Sequence, residues 1–399
     1  MTYKELLANN EIVRKLATIQ FLAYFGTWFS NVAIYSMLVS FGASPIIISL
    51  VVAMHFIPGI LLAPFSGTIV DRIDAKKLLG ILIITELLMT MCFLFINSID
   101  DVWMLLIFIF IRMTASSMFF TTEMTLMPKL LNSAILTKTN EIHSIIWSFT
   151  FTAGMAIGGL VVNYYGAKTA FIIDGILFLC AFLSLLNTSI IYKHEASHEK
   201  ILLSIKSGIR YISQNRHLIS LIFFHGTVGL TSFDTIVTLL ADYNYKYVIA
   251  VPLAIGLSNA TRSLALMIGP FIIGRWITKE KLFYVFLFQG FGIITWAFLQ
   301  YNFYLGLIGL FLTGLATTTL WSFTYALLQE KVEQKYLGRV LAYNEMFFML
   351  INAGTTLFTG IMAIYYDLNI VTTFLGIFFI VTAFYYKNTI KSLDTLDKN

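Results

Sequence analysis

The sequence predicts an all-α membrane protein, with twelve transmembrane helices in two pseudo-symmetric six-helix bundles. Three observations predict it. Hydrophobic residues make up 58% of the 399 residues and charged residues only 12%, against roughly 25% charged in a soluble domain. Apolar runs of about 20 residues, the length that crosses a bilayer, recur along the whole chain. Polar landmarks in the first half return in the second at one offset.

The runs read as spans at 16–40, 45–70, 78–97, 102–127, 142–165, 168–191, 218–241, 250–274, 282–300, 303–328, 340–366 and 369–387. Very short turns join spans 1 and 2, and spans 11 and 12, into hairpins. Met1 to Gln20 mixes acids and bases, runs into a full-length apolar segment and carries no small-residue cleavage pattern, so it does not read as a cleavable signal. Of the 26 Lys and Arg, only Lys168 and Lys246 fall in loops on the side opposite the N-terminus, and Arg112 and Arg262 fall within spans. This bias predicts both termini in the cytoplasm and an even span count. The formal charge of +5 therefore reads as orientation; no basic block is dense enough for nucleic acid. Cys92 and Cys180 both sit in apolar runs, which supports neither a disulfide framework nor a structural zinc site.

The chain divides into bundles at 1–191 and 218–399, with a cytoplasmic hinge at 192–217. Within the hinge, Ile201, Leu202, Ile205, Ile209 and Ile212 share one helical face, with Lys206 and Arg210 off it. This suits a helix on the membrane surface or a solvated linker helix. Gly67 to Arg72 ends span 2 and Pro270 to Arg275 ends span 8, so Arg72 and Arg275 are 203 residues apart. Asn140-Glu141 and Asn344-Glu345, opening spans 5 and 11, are 204 apart. The shift of 203 also pairs Glu86 with Gln289 and Asn31 with Asp234. Together these argue for a parallel repeat of six plus six helices.

These residues resemble the major facilitator superfamily. Gly67, Asp71, Arg72 and Lys76 match its G-x-x-x-D-R-x-G-R-K loop between spans 2 and 3, with Asp74 and Ala75 in place of the usual Gly and Arg. The resemblance implies a latch between bundles on the cytoplasmic side. Gly154, Gly158 and Gly159 of span 5 resemble the G-P-x-x-G-G motif of the family's proton-coupled exporters, with Met155 where the proline stands; the spacing also suits close helix packing. Gly338-Arg339-Val340 and Pro128 resemble the branch of macrolide-efflux pumps and the enterobactin exporter.

Ionisable groups inside spans are costly and mark function by default. Arg112 in span 4, Arg262 in span 8, Asp234 in span 7 and Glu86 in span 3 are the candidates. The resemblance places spans 1, 4, 7 and 10 around a central cavity, lined by Arg112, Asp234, Asn31, Trp321 and Tyr325. Arg112 resembles the span 4 arginine of drug–proton antiporters and would bias the proton occupancy of Asp234 or Glu86; the alternative is a static ion pair. Glu123, Glu141 and Glu345, near the inner ends of spans 4, 5 and 11, cap helices, brace the Arg72 loop or gate. His55 and His225 are candidate relays or simply hydrogen-bonded. Trp28, Phe29, Trp147 and Phe323 are further candidates for an apolar pocket.

His194-Glu195-Ala-Ser-His198 is a literal H-E-x-x-H, the zinc-binding spacing of a metalloprotease helix. Charged Glu199-Lys200 follows it and no clear third ligand does, so a solvated linker is the preferred reading. No G-x-x-x-x-G-K-[ST] loop occurs, so ATP hydrolysis is not expected. The expectation is a secondary transporter without cofactor, metal or enzymatic activity. It works by alternating access, exchanging protons for an amphipathic drug, macrolide or siderophore, as a monomer in a bacterial inner membrane. A facilitator or importer of a polar or anionic solute is the alternative.

Overall fold

The computed structural model describes residues 2–70, 72–190, 201–333 and 335–396. Among them, twelve helices are long and apolar enough to cross a bilayer: Glu11–Ser40, Pro45–Ser66, Ala75–Phe95, Ile99–Leu130, Lys138–Tyr165, Ala167–Leu186, Arg216–Tyr245, Val251–Ile272, Leu282–Leu299, Phe303–Lys331, Leu337–Met362 and Leu368–Thr389. These are spans 1 to 12. Polar side chains set many of their starts by accepting from free amides of the first turn: Asn10 for span 1, Ser44 for span 2, Asp74 for span 3, Asn132 for span 5, Asn215 for span 7 and Asn302 for span 10. Asp74, which departs from the family's loop, thus has a local purpose. A single residue, Gly166, joins spans 5 and 6 with φ of 83°, a conformation that glycine adopts without steric cost.

Large apolar residues line the outside of the helices; Phe271 is 69% exposed and Phe298 70%, which only lipid can cover. Trp103, Tyr164, Tyr165, Tyr247, Tyr301 and Tyr365 are exposed as well. All six lie at or next to span ends, where Trp and Tyr sit at a membrane–water interface.

Two spans are interrupted. Span 2 breaks at Met54–Phe56 between helices Pro45–Ala53 and Ile57–Val70. Pro58 follows at the second position of the new helix, and it has no N–H for the helical ladder. Span 7 runs as an α-helix from Arg216 to Thr227, tightens to a 3₁₀ turn at Val228–Thr231, and restarts as Asp234–Leu240. Neither break is expected from apolar length alone. Span 6 ends at Leu186, short of the expected 191, so Asn187 lies just past the helix.

The chain forms two compact units. The first comprises Met1–Ala43, Phe65–His198 and Val251–Ala260; the second comprises Ser44–Pro64, Glu199–Ala250 and Thr261–Asn399. In the first, span 1 packs on spans 5 and 6, and span 3 on spans 4 and 6. A Cβ added at Gly158 would stand 3.0 Å from the Phe29 carbonyl of span 1, and one at Gly159 2.8 Å from the Pro252 carbonyl. Backbone cannot yield there, so Gly158→Leu is expected to destabilise the fold by about 1–3 kcal/mol, read as a lower melting temperature in detergent. Gly80→Ala, whose Cβ would stand 3.6 Å from Phe182, should melt like the parent.

A short helix not anticipated from the sequence, Tyr3–Asn9, precedes span 1 and is closed by a Thr2–Glu5 capping box. Its Leu6 is buried with Val13 and Ile142, which ties it to spans 1 and 5. In the second unit, span 9 packs on spans 10 and 12, and span 11 on the first helix of span 2 and on span 7. The hinge helix runs from Ile201 to Ser213. It docks on the start of span 11 through Ser207, which accepts from Arg339 Nη1 at 2.7 Å, and through Tyr211, stacked on Tyr336 at 4.2 Å. Ile209, on the isoleucine face, is 52% exposed, so the docked face is a different one.

Candidate transport site

In the first unit, four spans bring a charge cluster together. Arg112 of span 4 donates through Nη2 to Asp174 Oδ2 of span 6 at 2.7 Å, with side-chain exposures of 2% and 0%. The same nitrogen lies 3.4 Å from Thr27 Oγ1 of span 1, and Ser30 Oγ donates to the same Asp174 oxygen. The guanidinium carbon sits 5.6 Å from the Phe93 ring centre and 5.4 Å from that of Phe178, so ring faces screen the cation. Glu86 of span 3 is 2% exposed and interacts electrostatically with both Arg112 and Asp174. Gly26 makes room: a Cβ there would overlap the Asp174 carboxylate.

Asp174 was absent from the sequence candidates, which offered Asp234 or Glu86 as partners of Arg112. The signal existed, because Asp174 is a carboxylate seven residues into span 6, about 10 Å along the helix axis. Asn31 is 5% exposed beside this cluster in sequence. Trp28 stacks on Phe151 at 4.1 Å and meets Trp147 edge-on at 5.8 Å; Phe29 is buried.

In the second unit, the break in span 7 is the organising feature. Backbone carbonyls released by a broken helix need donors inside a bilayer. Arg262 of span 8 supplies one: its Nη2 donates to the Thr231 carbonyl at 2.5 Å and lies 3.3 Å from Thr231 Oγ1. Its guanidinium lies over Phe233 at 5.1 Å. Asp234 opens the second half-helix of span 7, where the helix dipole favours negative charge, and it acts electrostatically on Arg262. Arg262 is thus a brace for broken backbone as well as a partner of Asp234.

Nearer the inner end of span 7, His225 is fully buried. Its Nδ1 pairs with Thr324 Oγ1 at 3.0 Å and its Nε2 lies 3.7 Å from Glu345 Oε1. Trp321, Tyr325 and Phe348 surround the imidazole at centroid distances of 5.4, 5.6 and 5.5 Å. Glu345, expected among latch residues, therefore faces a histidine within an aromatic set. His55 sits at the span 2 break with Nδ1 3.1 Å from the Val51 carbonyl, and Phe323 is half-buried.

Among the remaining latch candidates, Lys76, Glu123 and Glu141 have local partners. Lys76 donates to the Leu186 carbonyl at 3.1 Å, and Lys15 to that of Asn187, so both cap the end of span 6. Arg72 is exposed. Glu123 is fully buried and accepts from Gln20 of span 1 at 2.9 Å. Glu141 accepts from the Tyr3 phenol at 2.8 Å, and this bond holds the phenol above its ordinary pKa. Gly67 lies in the second helix of span 2. Asp71, and His194, Glu195 and His198 of the H-E-x-x-H, lie outside the described residues. No group of three or more His, Cys, Asp or Glu able to hold a metal occurs among the described residues.

The Major Facilitator Superfamily profile matches residues 16–261. The chain is 25% identical over 217 residues to the uncharacterized MFS-type transporter YfiS of Bacillus subtilis (strain 168), covering 53% of this chain and about half, 51%, of that protein. It is 22% identical over 312 residues to macrolide efflux protein A of Streptococcus pyogenes, covering 75% of this chain and 76% of that one. Among solved structures, the nucleoside transporter NupG superposes with a TM-score of 0.74 at 16% identity, covering 96% of this chain and 99% of NupG. The last likeness shows the fold alone, but the profile covers more than half of the sequence. With twelve spans, a repeat-based fold and charged side chains buried inside it, the chain belongs to the major facilitator superfamily.

Proposed function

We propose that this transporter exports an amphipathic small molecule in exchange for protons, and that the proton is held by the Glu86–Arg112–Asp174 cluster. One observation carries the reading: two carboxylates and one guanidinium, each at most 2% exposed, share one site. A buried charge needs a counter-charge. One guanidinium neutralises one carboxylate, so the second is stable when it carries a proton. A proton that enters or leaves this site changes the charge buried among spans 1, 3, 4 and 6, and so biases one conformation over another. Access alternates by movement of the bundles 1–191 and 218–399, and the charge state of this site, inside the first unit, biases which face is open, with the Gly67, Arg72 and Lys76 loop as the candidate latch.

Similarity to bacterial transporters supports a bacterial inner-membrane placement, and the distribution of Lys and Arg supports both termini cytoplasmic. Similarity to macrolide efflux protein A supports the direction and the cargo class. No catalytic role, cofactor or second subunit is part of this reading.

The test is accumulation in proteoliposomes under an imposed pH gradient. One pH unit supplies about 1.4 kcal/mol per proton, so coupling to one proton sustains about tenfold accumulation. Glu86→Gln is expected to reduce the ratio to about one while solute counterflow continues. Unchanged uphill transport in this variant would remove Glu86 from the coupling site.

A second reading has one observation in its favour. Arg262 Nε has no hydrogen-bond partner among the described residues, and a guanidinium edge suits a carboxylate or phosphate. Facilitated passage of an anionic solute that is insensitive to the pH gradient and lost in Arg262→Ala would select this reading.

A further inference from the structure

The second unit holds a crevice of about 400 Å³ whose lining residues take no part in the proton cluster. Three turns of the chain wall it: Tyr243 and Asn244 at the end of span 7, Gln300 and Tyr301 between spans 9 and 10, and Tyr366 and Asp367 between spans 11 and 12. Span 7 ends here in a widened π turn, Ala241–Tyr245, a rare geometry found often at functional sites. Gln300 is 2% exposed, and its amide is held by Thr372, whose Oγ1 accepts from Nε2 at 2.8 Å. The other five are exposed. Ala297, Phe298 and Asn369 line the crevice and also an apolar groove that continues from it between spans 9 and 12, past Ile370, Phe374 and Ile377.

From this continuity of a polar crevice with an apolar groove we infer that the site holds a neutral glycolipid, with its sugar head in the crevice and an acyl chain in the groove. The inference stands independently of the exporter reading. Span ends lie at the membrane–water interface, the level at which a lipid head sits and its chain enters the apolar layer. Charge narrows the head first. No Lys or Arg among the described residues lines the crevice, and Lys246, one residue past the π turn, is paired with Asp242 at 3.1 Å. A phosphate head would therefore meet Asp367 without the cation that phosphate recognition uses. Hydrogen bonding narrows it further. Phenols and amides both donate and accept, and a carboxylate accepts; sugar hydroxyls do both and match such a set. The faces of the three tyrosine rings carry negative potential and suit the C–H face of a sugar. The groove then separates a lipid from a free sugar. Phe298 and Phe374 are 70% and 55% exposed, so a tail covers apolar surface there that a free sugar leaves bare. Any acyl tail fits the groove, and the head carries the selection.

The test reconstitutes the full chain in nanodiscs of equal parts phosphatidylglycerol, phosphatidylethanolamine and monoglucosyl diacylglycerol. The chain is then extracted with an amine-oxide detergent, which carries no sugar, and the retained lipids are counted by mass spectrometry. The glucosyl lipid is expected to be retained at least about tenfold over either phospholipid, a gap of about 1.4 kcal/mol. Asn369 is exposed where crevice and groove join, so Asn369→Trp blocks the junction without entering the core. This variant should lose the preference while melting like the parent in nanodiscs that lack the glycolipid. Tyr301→Leu combined with Asp367→Leu, which removes one ring and the carboxylate, should lose it as well. Excess methyl glucoside, a head without a tail, should leave the lipid in place. Equal retention of the three lipids by the parent, or a preference for phosphatidylethanolamine, overturns the sugar head. A glucosyl preference that survives in both variants overturns the location, and displacement by methyl glucoside overturns the role of the groove.

Discussion

Replacing Asp174 by Ala is expected to destabilise the protein by about 3–5 kcal/mol, the cost of stranding one partner of a buried ion pair. Arg112 is 2% exposed and its pairing Nη2 reaches Asp174 and Thr27. Without the carboxylate, the guanidinium must stay charged among Phe93 and Phe178 or pull water between four helices. Unfolding in mixed micelles, followed by denaturant titration, measures the loss. Removing both charges together, as Arg112→Leu with Asp174→Leu, should recover most of the stability, because well-packed apolar residues often replace a buried pair at little cost. The double variant should still fail to accumulate solute against a gradient. Stability equal to the parent in Asp174→Ala would show that the pair contributes nothing to the fold.

Arg262→Ala is expected to be the second most damaging change. Its side chain donates to a carbonyl that the span 7 break has released, and an unsatisfied buried backbone group costs about 1–3 kcal/mol, more where the donor was charged. Asp234 would also lose the cation that acts on it. The damage should be local. Hydrogen exchange should accelerate at Val228–Phe233 and in the half-helix that Asp234 opens, while span 9 and span 12 keep their protection. Arg262→Lys retains one donor and should fall between the parent and Ala. Uniform protection across all spans in Arg262→Ala would mean that the break is satisfied in some other way.

The spans were legible because a bilayer makes one demand, apolar length, that a sequence states directly. The Lys and Arg distribution predicts which span ends share a side. The site was legible only in part. Arg112, Glu86, Arg262 and Asp234 announce themselves as charges in apolar runs, but their partners depend on helix rotation, which composition does not encode. Asp174 escaped because a shift of 203 places it opposite Ile377, so the repeat that highlighted Glu86 and Asn31 was silent there. The break in span 7 contains no proline; Gly229, whose Cβ would press on the Phe348 carbonyl at 2.8 Å, is a weak hint of it. Glu345 read as a latch because only its distance from the helix end was visible, and His225 lies far from it in sequence. The docking of the hinge helix escaped for a similar reason. Its isoleucine stripe is conspicuous, while the face that meets span 11 is built from Ser207, Gly208 and Tyr211.

The interrupted span 7 has a consequence for how the chain is made. Its mean hydropathy is 1.2, against 2.5 for span 2 and 2.4 for span 3, so it is a weak insertion signal that also carries an acid in its middle. The donor that completes its backbone lies 31 residues downstream of Thr231. At about 5–20 residues per second, Arg262 follows Thr231 by about 2–6 s. Until span 8 packs beside span 7, that carbonyl needs water or another donor. The second half of the protein therefore completes the backbone of its first span only with a side chain that the next span supplies.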